Sequence, residues 1–244
     1  MTTRADVNRL ARSQSEIVGL ARRDLQALFA SMDLSTPERV RDALLEVVPV
    51  LVRAYGDVAA MAAAEWYEET RAAQVGGSFA ARVSPGVDAA EVQGSVRWAA
   101  GHLFGDRPAD TLALLSGAIQ RHILYSGRDT IRRNVDVDPA RPGWARVPTG
   151  AKTCAFCTML AGRGFVYSSA RSAGGDGHRY HDDCDCQVVA EWDREQHHIE
   201  GYDPDRLEAM YEAARDAAKS GDPSTILAKM REMFPDEFTD GHKG

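Results

Sequence analysis

All four cysteines of the chain fall in one short stretch, Cys154-x-x-Cys157 and Cys184-x-Cys186, with His178 and His181 standing just before the second pair. The 26 residues 158–183 separate the two pairs and include the flexible bridge Ser172-Ala-Gly-Gly-Asp-Gly177. A C-x-x-C turn aims two sulfurs at one point and lets backbone N–H groups bond to them. In a strand, alternate side chains share a face, so Cys184 and Cys186 can point at that same place. The fold is therefore required to bring a turn and a strand together around one centre.

Six side chains compete for the four positions of a tetrahedral zinc ion. The best quartets are Cys154, Cys157, His181 and one of Cys184 or Cys186, or else all four cysteines. His178 is the weakest candidate, a neighbour of the ligands or simply exposed. Three states compete for the cluster: a structural zinc site, free or redox-active thiols, and two disulfides. Synthesis in a cytoplasm disfavours disulfides. The surrounding module has few large apolar residues, and small modules gain most from a staple, so zinc is the expected cofactor.

Catalytic readings find less support. A Cys–His dyad needs a low-pKa thiolate beside an imidazole, and no one cysteine is marked out. An HNH-type nuclease could take its base from His181 in Arg179-Tyr-His-Asp-Asp-Cys184, but no second half of that motif follows. Ser168 and Ser169 lie near the cluster without a Gly-x-Ser-x-Gly elbow around them.

The rest of the chain reads as mainly helical. Val7, Leu10, Ile17, Leu20, Ala21, Leu25 and Leu28 recur at helical spacing over residues 5–31. Ser35-Thr36-Pro37-Glu38 signals a helix start, and a long helix to about Ala73 follows. Its expected apolar stripe is Val40, Leu44, Val47, Leu51, Tyr55, Val58, Ala62 and Trp66, with a kink at Pro49. Shorter helices are expected over 88–101 and 108–133. His102 and His122 stand alone on them and read as packed or surface histidines. Arg121, Arg128, Arg132 and Arg133 make the last of these helices locally basic, either a nucleic-acid or partner patch or a solvated helix end.

After Asn134 the texture changes. Trp144–Val147, Phe165–Tyr167 and Gln187–Val189 read as short strands, and Cys154–Leu160 as a helical turn ended by Gly162. Helices resume at Pro204 and again after Asp222. The expected architecture is mainly α with a small α+β module stapled by cysteine and histidine. It divides into a helical domain over 1–134, the module over 135–200 and an acidic helical tail over 201–244.

Charge follows the same division. Residues 1–181 hold 22 basic and 19 acidic side chains, whereas 182–244 hold 7 basic and 17 acidic. An acidic tail argues against non-specific nucleic-acid binding by that end and suits a solvated face or a basic protein surface. No run of about 18 apolar residues stands out, and the N-terminus has no apolar signal region, so no membrane partner and a cytoplasmic start are expected.

The stretch Trp144-Ala-Arg-Val-Pro-Thr-Gly-Ala-Lys-Thr-Cys154-Ala-Phe-Cys157-Thr-Met-Leu160-Ala-Gly162, followed by His181-x-x-Cys184-x-Cys186, resembles the phage Mu F-like (MuF) head-morphogenesis module. It is closest to the version in tailed phages of actinobacteria, the minor capsid protein or capsid maturation protease family. That family shows H-P-x-C-x-C, and here Asp182 stands where proline is usual. The resemblance covers residues 144–190. It implies a minor head protein acting in procapsid assembly, with portal, major capsid and scaffolding proteins as partners. The protein would then work in the host cytoplasm during assembly and afterwards in the virion. The alternative is a capsid maturation protease that cleaves scaffold or capsid protein, although no catalytic triad is evident.

Overall fold

The computed structural model describes residues 1–167, 180–195 and 198–241. Its first element, α1 (Arg4–Ala30), opens on a reciprocal cap: the Thr3 side chain accepts from the Asp6 N–H while Asp6 accepts from the Thr3 N–H. Pro37 starts α2 (Pro37–Val75), where its missing N–H costs nothing, and this helix is one continuous element through Pro49. α3 (Ala89–Ala100) is capped by Asp88, and α4 (Asp110–Val137) runs past the expected end at residue 133.

These four helices share one apolar core that includes Leu25, Leu44, Val52, Val96, Leu115 and Ile123. The buried face of α2 differs from the expected stripe. Val47 and Val58 are 37% and 49% exposed, while Val48, Val52, Ala59 and Ala63 are buried. The helix is apolar around much of its circumference, so periodicity cannot choose the inward side; packing against α1 and α4 does. Among the described residues α2 alone is long and apolar enough to cross a membrane, by length and composition. Here it packs between α1, α3 and α4.

Gln14 is buried where α1 crosses α4, donating from Nε2 to Ala59 O at 2.9 Å. A Cβ on Gly127 would lie 2.8 Å from that amide, so glycine permits the close approach.

The lower ends of α1, α2 and α4 meet a two-stranded antiparallel sheet, β1 (Gly143–Val147) and β2 (Gln187–Glu191), in the register Gly143↔Glu191 to Val147↔Gln187. A second core joins Val7, Tyr67 and Ile131 to Trp144, Val147, Val188 and Trp192. At its edge the buried Asp138 carboxylate accepts from Tyr67 Oη at 3.0 Å, Arg71 Nε at 2.9 Å and Trp192 Nε1 at 3.0 Å. Phe165–Tyr167 is not the expected strand. A 3-10 turn covers Gly164–Val166, and a single bridge pairs Tyr167 with Trp144. The left-handed backbone of Gly164 (φ 64°) interrupts the extended conformation there.

The short α5 (Ala155–Ala161) ends at Gly162 and packs on α6 (Pro204–Ala218) and α7 (Pro223–Met233). Their shared core includes Met159, Leu160, Met210, Ile226 and Met230. The cysteines sit between this helical layer and the sheet.

Candidate metal centre

Cys154 is the N-cap of α5, and its Sγ accepts from the Cys157 N–H at 3.3 Å. Cys157 follows in the first turn. The second pair arrives on a turn in which Cys184 N donates to His181 O and Asp183 takes a left-handed φ of 59°. Cys186 then leads directly into β2. The two pairs converge as expected, although Cys184 and Cys186 lie on the loop before β2 rather than in a strand, and all four cysteines are buried free thiols.

The donors form two groups that share Cys157. Cys154, Cys157 and His181 lie within 4.8 Å of one another, and so do Cys157, Cys184 and Cys186. Cys157 Sγ is 3.5 Å from Cys184 Sγ and 3.6 Å from His181 Nε2, while Cys154 Sγ is 2.9 Å from His181 Nε2. Ligands about 2.3 Å from a tetrahedral zinc stand roughly 3.8 Å apart, so two of these separations are close to that edge. The donor set, thiolates with an imidazole, fits zinc. His181 is half-buried at the mouth of a cavity of about 540 Å³ lined also by Cys154, Phe156, Arg231 and Asp240.

Proton affinities in the cluster are strongly shifted. The hydrogen bond from Cys157 holds the Cys154 thiol down to about 5; burial opposes that shift and the His181 imidazole adds to it. The same contact with Cys154 lifts His181 to about 9. Cys157 is pushed up because its proton serves Cys154, and Cys184 is pulled down by its bonds to Cys157 and Cys186. Both shifts favour the proton on His181 over Cys154.

Residues outside the motif position it. Asp185, between the two ligand candidates, accepts from Thr149 N at 3.0 Å, Gly150 N at 2.7 Å and Thr153 Oγ1 at 2.9 Å. It ties the loop before the first pair to the second. Asp182, where proline was expected, faces Gly117 on α4 and lies 3.3 Å from Arg121, while Asp183 pairs with Arg22 at 2.6 Å. His178, Ser168 and Ser169 lie outside the described residues.

The basic run on α4 is divided: Arg121 and Arg133 keep side-chain exposures of 33% and 49%, while Arg128 turns inward. Arg132 and Arg133 turn onto Asp129, and Arg128 is buried. Arg128 donates to Cys186 O through Nε and to Cys184 O through Nη2, each at 2.9 Å. Its guanidinium carbon and that of the fully buried Arg146 stand 4.1 and 4.0 Å from the centre of the Tyr180 ring. Sequence reasoning missed Arg146, Tyr180 and Asp185, and read Arg128 as part of a basic helix rather than as a neighbour of the cluster. Only the adjacency of Asp185 and Tyr180 to the motif could have flagged two of them. His122 also has a partner, Ser95 Oγ at 2.9 Å, and burial pushes it down to about 4.

The model of the VG15 protein family matches residues 1–214, most of the chain. The chain belongs to the VG15 family. Two curated relatives bear the name Gene 15 protein. That of Mycobacterium phage D29 is 30% identical over 173 residues, covering 54% of this chain and 63% of the relative. That of Mycobacterium phage L5 is 41% identical over 80 residues, covering 28% and 27%. The chain thus spans less than two thirds of the length of either relative. No solved structure matches. The two Gene 15 relatives are phage proteins, so the chain belongs to a phage protein family.

Proposed function

We propose that this VG15 chain is a minor head protein of MuF-like type that acts in procapsid assembly, its cysteine–histidine module stapled by one structural zinc ion. The observation that carries the reading is the convergence of Cys154, Cys157, His181, Cys184 and Cys186 between a two-stranded sheet and a helical layer. Phage Gene 15 relatives support the context. A bound zinc supplies no reaction here; it fixes the turn at Cys154 and the turn at Cys184 to one point, and thereby orients α5 against β2.

Partners in this reading are the portal, major capsid and scaffolding proteins. A solvent-facing apolar stripe on α2, with Val50, Val58 and Met61 at 67%, 49% and 64% exposure, supports a docking role. The acidic α6–α7 layer offers a second face for basic surfaces. The protein works in the host cytoplasm during assembly and then in the particle.

A second reading, a capsid maturation protease, draws on the Cys154–His181 pair. The Cys154 sulfur, 2.9 Å from an imidazole whose Nδ1 lies 2.6 Å from Asp182 O, faces a cavity. Co-expression with capsid and scaffold proteins separates the two. The assembly reading expects unclipped shell proteins and misassembled particles when Val50→Asp and Val58→Asp are introduced. Clipping by the wild type that Cys154→Ser abolishes, while the variant still binds zinc, establishes the protease instead.

A further inference from the structure

The exposed apolar residues of α2 are not scattered. Val47, Val50, Ala54, Val58 and Met61 all face solvent. At 3.6 residues per turn the five fall within an arc of about 80° and run for about 21 Å along the helix. Single exposed apolar side chains are ordinary, but a continuous stripe marks a contact surface.

The stripe is symmetric about Ala54. Val50 and Val58 stand four residues to either side of it, and Val47 and Met61 stand seven. Turned end over end about an axis through Ala54, it lays Val50 on Val58 and Val47 on Met61 of a second copy. An isologous two-fold interface requires this self-complementarity, in which one residue meets another and is met by it in return. The smallest side chain falls on the axis, where it lets the two helices approach closely.

The edges of the stripe agree with the same operation. Arg53 and Asp57 line one edge, paired with each other at 2.9 Å and 62% and 47% exposed. Leu51 and Tyr55, both only partly buried, line the other. An antiparallel two-fold sets like edges together. Arg53 of each copy then stands about 3 Å along the axis from Asp57 of the other, which closes a ring of four alternating charges, and Leu51 meets Tyr55. A parallel pair sets the charged edge against the apolar one and loses both matches.

We propose that α2 is a self-association surface: two copies of this chain pack antiparallel through Val47, Val50, Ala54, Val58 and Met61, with Ala54 on the two-fold axis. The dimer depends neither on the metal nor on the assembly role. It gives the stripe an occupant and leaves the acidic α6–α7 layer for shell proteins. One helix pair of about four turns belongs with the small interfaces, below about 1,200 Å², so monomer and dimer exchange in the micromolar range.

Sedimentation equilibrium of the full chain, reduced and across micromolar concentrations, tests this. A reversible dimer is expected for the wild type. Val50→Asp and Val58→Asp each set a carboxylate against a valine at two places and should weaken the dimer roughly 100-fold, with circular dichroism confirming an intact fold. Mild oxidation should join the Ala54→Cys variant into a covalent dimer but not Val47→Cys, whose two sulfurs lie about 21 Å apart across the antiparallel pair; the native cysteines are buried. A wild type that stays monomeric, a dimer that both aspartates leave intact, or a covalent dimer through Val47→Cys overturns the proposal. A monomer in which Val50→Asp still disrupts particles assigns the stripe to a shell protein, so the second copy falls and the assembly reading stands. A dimer formed by a chain that takes no part in head assembly upholds the proposal and overturns that reading instead.

Discussion

Gly162 ends α5 with ordinary right-handed backbone, φ −60° and ψ −19°, so nothing in its conformation demands glycine. Alanine in such backbone ordinarily gains about 0.5–1 kcal/mol over glycine. Here the added Cβ would lie 2.7 Å from Glu208 N, 3.0 Å from Glu208 Cα and 3.1 Å from Leu207 C. All three are backbone atoms of α6, which cannot rotate aside as a side chain can. Overpacking of this kind costs about 1–3 kcal/mol, so a net loss of roughly 1–2 kcal/mol is expected for Gly162→Ala. In a chain of this size that corresponds to a Tm lower by about 2–8 °C. Gly19, in the interior of α1, is the control, because a Cβ there meets nothing within 4 Å. Gly19→Ala should raise Tm by about 1–4 °C. Thermal unfolding followed by circular dichroism measures both. Gly162→Ala with an unchanged or higher Tm would refute the close seating of α5 on α6, and with it the route by which the cysteine module joins the acidic helices.

Other substitutions probe other joints. Asp138→Asn should destabilise the chain by about 3–5 kcal/mol, since it leaves the buried Arg71 guanidinium without its carboxylate; urea unfolding with an unchanged midpoint refutes that ion pair as a joint between α2 and the start of the sheet. His122 is held down to about 4 by burial, whereas the unfolded value is about 6.5. The unfolded state then binds the extra proton between those values, so stability falls as pH drops from about 6.5 towards 4. His122→Gln should flatten the pH dependence of the unfolding free energy in that window, and an unaltered slope contradicts the buried neutral imidazole.

Much of the helical framework was legible, because caps and periodicity are local. Pro37, Pro204 and Asp222 all mark starts that the structure keeps. Which side of α2 faces inward was not, because Val47 and Val48, or Val58 and Ala59, are equally apolar neighbours and only the packing of α1 and α4 decides between them. The convergence of the two cysteine pairs followed from ligand spacing. Its support did not: Arg128 sits 26 positions before Cys154 and, like its helix neighbours Arg132 and Arg133, looks like surface charge in the sequence. Burial of one arginine among three similar ones is a tertiary outcome. The strand expected at Phe165–Tyr167 failed on a backbone preference, the left-handed turn at Gly164, that an alternation of apolar residues does not register.

Native mass spectrometry of the chain, purified under reducing conditions without added metal, tests the stapled module most directly. The expected result is the mass of the chain plus a single zinc ion, with chelation releasing the ion and exposing the stretch around Cys154–Cys186 to protease. A metal-free mass carrying two disulfides, or four free thiols that leave protease resistance unchanged on chelation, contradicts it.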